Sequence, residues 1–135
     1  MSRVRPIVER MHGYGPGEQP HGGRVVKLNT NENPYPPAPA VIAAARAAAS
    51  EDLRLYPEPS AKPLRAEAAR VYGVRPEQVL PGNGSDELLT MLMRAIVGPD
   101  DIVVYPEPTY SLYDTLVTIQ EGRAITVPVP ADSGV

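Results

Sequence analysis

The chain has 135 residues, is 42% hydrophobic and 21% charged, and carries a formal charge of −3. That is the balance of one soluble globular domain, without a basic field for nucleic acid or an anionic membrane. It contains no cysteine, which excludes disulfides, thiol catalysis and thiolate metal sites and fits a reducing, cytoplasmic setting.

The charged start Met-Ser-Arg-Val-Arg-Pro lacks the apolar core of a secretory signal, and no apolar run is long enough to span a bilayer. There are 17 prolines and seven tyrosines but no Phe or Trp, so any aromatic ring used for function is a tyrosine.

In chain order, residues 1 to about 24 are polar and glycine-rich, and read as an extended arm with one short helix. Arg24 to Leu28 has the composition of a short strand. Asn29 to Pro37 is a loop, because Asn and Pro favour turns over ladders. The alanine-rich stretch from Ala38 to about Leu53 predicts a helix with Val41 and Ile42 on its buried side, broken by the prolines that follow. Pro63 to Tyr72 predicts another, with Leu64, Ala68, Val71 and Tyr72 on one face and Gly73 as its stop.

From residue 78 the pattern becomes regular. A strand at 78–80 leads into Pro81-Gly-Asn-Gly-Ser-Asp-Glu87 and a helix to Val97. Strands follow at 101–105 and 124–129, with a helix from Thr109 to about Gln120 between them, ended by Gly122. Strand, helix, strand, helix, strand at this spacing indicates an α/β protein with a parallel sheet. Ligands in such sheets collect at the carboxyl ends of the strands. The glycine turn and the loop Pro106-Glu-Pro-Thr-Tyr110 both sit at such ends.

The glycine turn is the most informative stretch. A helix N-terminus presents unpaired N–H groups and the positive end of the dipole, and Gly82 and Gly84 allow the close backbone approach a phosphate needs. Many helices that bind nothing also start with glycine and a capping Ser or Asp. The turn is neither a Walker loop nor the dinucleotide fingerprint, since no Gly-Lys-Ser/Thr follows and the G-x-G-x-x-G spacing is absent.

Tyr110 either lies flat over a planar ligand held by this turn or packs under its own helix. Tyr56, in a Leu-Tyr-Pro turn, either reaches a phosphate or is an ordinary turn aromatic. Asn29, Asn31, Glu32 and Asn33 form a polar cluster that lines a pocket edge or caps the next helix. His12 and His21 have no metal-ligand spacing and read as surface residues. Asp86-Glu87 and Asp100-Asp101 read as helix-start and turn residues.

Five segments together resemble the N-terminal part of the histidinol-phosphate aminotransferases, pyridoxal-phosphate enzymes of fold type I. They are Tyr14-Gly-Pro-Gly-Glu, Leu28-Asn-Thr-Asn-Glu-Asn-Pro, Leu55-Tyr-Pro-Glu, Gly82-Asn-Gly-Ser-Asp-Glu-Leu and Pro108-Thr-Tyr-Ser-Leu-Tyr. The resemblance implies an arm over 1–29 and the first portion of the large cofactor-binding domain over 30–135. It implies that Gly84, Ser85 and Asp86 hold the phosphate of pyridoxal phosphate, that Tyr110 stacks on the pyridine ring, and that Tyr56 reaches the phosphate of the neighbouring subunit's cofactor in a homodimer. Tyr14, Asn31 and Glu32 would lie near a small-molecule substrate of the histidinol phosphate and 2-oxoglutarate class.

The same resemblance implies a deficit. Family members are more than twice this length, and their Schiff-base lysine, pyridine-pairing Asp and substrate-binding Arg fall beyond the matched region. The only lysines here are Lys27 and Lys62, and neither stands in the family's Ser-Lys context. The expectation is therefore a fragment that is inactive alone, whose 78–80 strand lacks its neighbour while the 101–105 and 124–129 strands pair. A sibling on the same scaffold (a threonine-phosphate decarboxylase or an aromatic amino acid aminotransferase) and a non-catalytic phosphate-binding remnant are the alternatives.

Overall fold

The computed structural model describes residues 3–12 and 26–130. They fall into two compact units, one made of residues 3–12 with 80–130 and the other of residues 26–79.

The first unit contains α1 (Pro6–Arg10), α4 (Ser85–Ile96), β1 (Ile102–Glu107), α5 (Leu112–Ile119) and β2 (Arg123–Pro128). The two strands pair in parallel, Ile102 opposite Arg123 through Glu107 opposite Pro128, with α5 as the connection. This is the pairing expected of the 101–105 and 124–129 segments. Val103, Tyr105 and Ala124 on one face pack against a core of Met93, Val97, Leu112, Leu116 and Val117. The spacing explains who enters it. Leu89 and Met93 on α4 and Val97 at its C-cap recur every four residues, and Leu112, Leu116 and Val117 form one stripe on α5. The opposite sheet face, with Ile102, Val104, Ile125 and Val127, is largely exposed, although parallel sheets normally bury both faces.

Helix α5 ends near Gln120 as expected, with Gly122 taking part in the ending. Glu121, not Gly122, takes the left-handed position at φ 62°. Its N–H donates to the Thr118 carbonyl and the Gly122 N–H to the Val117 carbonyl, the paired bonds of a Schellman ending. Gly122 is needed for close approach instead: a Cβ there would stand 2.8 Å from Val97 Cγ1 and 3.3 Å from the Asp101 carbonyl oxygen. At this same end, the Arg5 guanidinium reaches the Glu121 carboxylate and the Ile119 carbonyl, so α1 docks at the C-terminal end of α5.

The second unit holds α2 (Pro39–Ala48) and α3 (Lys62–Tyr72), with single 3-10 turns at Glu51–Arg54 and Pro76–Gln78. The helix expected over 38–53 ends at Ala48, where Ser50 accepts from the Asp52 N–H and starts the tighter turn. Val41 and Ile42 are exposed, not buried, and so are Leu64, Val71 and Tyr72 on α3, where Ala69 is the buried residue. Amphipathic spacing selects a face, but burial needs something to pack against it. Gly73 does cap α3, at φ 67°.

Two expected strands do not form among the described residues. Residues 79–80 are irregular after the 3-10 turn, and residues 26–28 are irregular too; Arg24 and Val25 lie outside the described residues. A strand exists only through a ladder, and neither segment has a partner in the two-stranded sheet.

Candidate functional site

The carboxyl ends of β1 and β2 and the start of α4 bring together four of the residues singled out in the sequence: Gly84, Ser85, Asp86 and Tyr110. Gly84 is the N-cap of α4 at φ 86°, ψ 174°, a region of backbone space that is essentially reserved for glycine. It offers no side chain, and no side-chain hydrogen bond caps the helix. The N–H groups of the first turn, Ser85 and Asp86 among them, therefore face outward without a capping acceptor. A Cβ built on Gly84 would meet nothing within 4 Å, so the space over the turn is open. Helix α4 has 12 residues, long enough for its dipole to favour an anion at this end.

The turn is braced from inside. The Glu87 carboxylate reaches back to accept from the backbone N–H of Asn83 and, at 3.0 Å, from its side-chain amide. Gly82 permits this packing, because a Cβ there would come within 2.9 Å of Leu88 Cδ2 and 3.2 Å of Glu87 Oε2.

Tyr110 sits in the exit loop of β1, two residues before α5 rather than within it. The helix expected from Thr109 begins at Leu112 because the Pro108-Thr-Tyr-Ser segment forms the loop, entered through a cis Glu107–Pro108 bond. The Tyr110 hydroxyl donates to Asp86, with both carboxylate oxygens at 3.2 Å. Its ring stands perpendicular to that of Tyr113, centroids 5.9 Å apart at 86°. The ring thus contacts Tyr113 of the following helix, while its hydroxyl reaches the start of α4.

Next to it is a concavity of about 450 Å³ lined by Tyr105, Glu107, Thr109, Tyr110, Asp114 and Thr126, among others. The Tyr105 hydroxyl donates to Asp114 at 3.2 Å. Partial burial, and then the negative charge of Asp114, push the Tyr105 phenol above its ordinary value. Tyr105 and Tyr113 are the members of this cluster that the sequence reading did not single out. Their signal was the run Tyr105, Tyr110, Tyr113 in a chain with no other kind of aromatic residue.

The other candidates lie elsewhere. Tyr56 belongs to the second unit and is fully exposed, beside a shallow concavity formed with Ala48, Asp52 and Leu53. Asn31 and Glu32 are in the same unit. Asn31 adopts a left-handed φ of 52°, and Glu32 pairs with Lys27 at 2.8 Å. Asn33 accepts from the Tyr35 N–H within the expected loop, and no side chain of this cluster caps α2, whose N-cap is Ala38. Tyr14 and His21 lie outside the described residues, and His12 is exposed. Asp101 accepts from the Gly98 N–H at 2.8 Å, a turn role as read from the sequence.

Open amides at a helix start can hold an anion, and a tyrosine ring beside them can take a flat group. Residues 23–134 match the model of the aminotransferase class I and II family. A histidinol-phosphate aminotransferase of Trichormus variabilis is 49% identical over 92% of this chain and 36% of its own length. One from Rhodopirellula baltica is 49% identical over 93% of the chain and 35% of its own length. The chain thus spans about a third of the length of the curated relatives it matches.

Among solved structures, the histidinol-phosphate aminotransferase of Sinorhizobium meliloti in complex with pyridoxal-5'-phosphate superposes with a TM-score of 0.81 at 29% identity. It covers 98% of this chain and 36% of that one. An alpha-aminoadipate aminotransferase from Thermus thermophilus superposes with a TM-score of 0.56 at 32% identity, over 67% of this chain and 24% of its own. The fold is therefore an α/β portion of the pyridoxal-phosphate transferase architecture. With the family model matched along most of its length, the chain belongs to the class I and II aminotransferases.

Proposed function

We propose that this chain is the cofactor-phosphate-binding portion of a histidinol-phosphate aminotransferase, and that the phosphate taken at the glycine turn is that of pyridoxal phosphate. One observation carries the reading. Gly84 opens a 12-residue helix with no side-chain cap, so the first-turn amides are open to an anion beside the ring of Tyr110. The names and identities of the relatives support the substrate class, and the solved complex supports the cofactor.

Bound there, pyridoxal phosphate would supply an electron sink for chemistry at an amine-bearing carbon. The chain's own part is to bind and orient. The N–H groups of Ser85 and Asp86 donate to phosphate oxygens, Gly84 gives them clear approach, and the Tyr110 ring provides a flat wall. Tyr56 would serve the phosphate of a neighbouring subunit's cofactor in a homodimer, and Tyr14, Asn31 and Glu32 would lie toward the substrate. Residues 1–29 are the arm and 30–135 the first portion of the large domain.

Transamination needs a lysine as covalent carrier and base. Lys27 is paired with Glu32 at 2.8 Å, and Lys62 lies 3.8 Å from Glu58. The expectation is that this chain binds but does not turn over. Equilibrium titration with pyridoxine phosphate, which has no aldehyde to react with surface amines, checks this. Saturable binding competed by inorganic phosphate is the expected result, and a separate assay with pyridoxal phosphate and 2-oxoglutarate should show no conversion of histidinol phosphate. Absence of saturable binding for both phosphates would sink the assignment of the turn, and turnover by the chain alone would sink the inactivity.

A further inference from the structure

The carboxylate of Asp86 occupies an awkward place for a phosphate site. Asp86 is the second residue of α4, and its own backbone N–H is one of the groups facing the open turn. An aspartate in the first turn of a helix tends to fold its carboxylate back onto the adjacent N–H groups, where orphan donors and the helix dipole both attract it. Folded back, it would occupy the donors that an anionic ligand needs and would set a fixed negative charge beside a phosphate.

In the structure the carboxylate does not fold back onto them. Both carboxylate oxygens stand 3.2 Å from the hydroxyl of Tyr110, a residue 24 positions away on another element. The ring that carries this hydroxyl is in turn held perpendicular to Tyr113, and Tyr113 contacts Tyr105 at 5.8 Å. Tyr105 is anchored by Asp114. The result is a chain of contacts from the exit of β1 to the helix start, and its last link is the hydrogen bond that turns the carboxylate away.

We propose that Tyr110 is a positioning residue through its hydroxyl: it holds the Asp86 carboxylate off the first-turn amides of α4, and the same bond fixes the plane of the Tyr110 ring. This rests on the reading that those amides take a phosphate. It assigns the hydroxyl a function separate from the ring face, and it explains how a phosphate turn tolerates an aspartate at its second helical position. The ring alone would be supplied equally well by phenylalanine, whereas the hydroxyl would not.

The full chain tests this in two independent ways. In the ligand-free protein labelled for amide NMR, Tyr110→Phe frees the carboxylate. The amide protons of Asp86 and Glu87 then move downfield and exchange more slowly. Adding Asp86→Asn, whose neutral amide is a weaker acceptor, returns them toward their original positions.

In equilibrium binding, Tyr110→Phe weakens both pyridoxine phosphate and inorganic phosphate by about tenfold, the scale of a like charge a few ångströms away at an exposed site. The double variant Tyr110→Phe, Asp86→Asn recovers to within about twofold of the original chain. Unchanged amide resonances in Tyr110→Phe, or weakened binding that Asp86→Asn fails to rescue, would overturn the proposal. Amides that move as expected in a chain that binds neither phosphate would support the pairing and overturn the phosphate assignment instead.

Discussion

The Glu87 carboxylate accepts from the backbone N–H of Asn83 and from its side-chain amide, closing the glycine turn on itself four residues upstream. The brace lies on the inner side of the turn, next to Leu88 and Gly82. It leaves the Ser85 and Asp86 amides uncovered. Truncating Glu87 to Ala is expected to cost about 1 kcal/mol, the worth of an exposed charge-assisted pair. The Asn83 amide should then exchange faster while the protons of the Val117 region stay protected. Unchanged exchange at Asn83 would mean the brace is not held in solution.

Gly82 and Gly84 do different work, and alanine separates them. At Gly84 the space is open but the backbone, at φ 86° and ψ 174°, is one that alanine resists. The expected loss is about 1–3 kcal/mol, or a shift of the turn. At Gly82 the obstacle is Leu88 Cδ2 at 2.9 Å, the far end of a flexible side chain that can turn aside. Denaturant titration should rank Gly84→Ala as the more damaging variant, and the reverse order would contradict the geometry.

The small core of the first unit makes a second contrast. Leu116 is 5% exposed between α4 and the sheet, whereas Leu92 on α4 is 51% exposed. Leu116→Ala should lose about 2 kcal/mol or more, because it removes buried methyl groups and leaves a cavity. Leu92→Ala should stay within about 0.5 kcal/mol. Thermal or urea unfolding of the two variants measures this, and equal losses would mean that the α4 face is covered in solution.

Helix α3 has Ala61 as its N-cap, at a left-handed φ of 48°, and no capping side chain of its own. Glu58 substitutes from outside the helix. Its carboxylate accepts from the Lys62 N–H at 2.7 Å and from the Ser60 N–H and hydroxyl. The Lys62 bond above all holds the Glu58 carboxyl below its ordinary value of 4.5. A carboxylate depressed in the folded state stabilises it fully above its unfolded value, and that contribution is lost as pH falls through the lowered folded value. Protection of the Lys62 amide should therefore decline on acidification below about pH 4.5. In Glu58→Gln the protection should be weaker at neutral pH and nearly independent of pH. A Lys62 amide with the same acid profile in both proteins would remove Glu58 from this role.

Much of the candidate site was legible in the sequence because it depends on local rules. Gly84 before a helical pattern marks a backbone that only glycine adopts readily, and the acidic first turn and the Gly73 stop follow from helix-end chemistry. The parallel pairing of the two later strands was readable from the strand–helix–strand spacing. Gly122 does take part in the ending of α5, but the reason it is glycine was not legible in the sequence. Whether a glycine supplies a left-handed φ or room for Val97 depends on what lies across from it.

By itself, then, the sequence determined which segments are helical, which could be strands, and the order of motifs that carries the family. Those properties rest on interactions among residues close together in the chain. Tertiary structure alone decided which apolar faces are buried and which strand candidates become strands, since both need a partner from elsewhere. It also decided that the carboxylate of Asp86 meets the hydroxyl of Tyr110 across 24 residues. No periodicity encodes that meeting, because it exists only once the exit of β1 and the start of α4 are brought to the same end of the first unit.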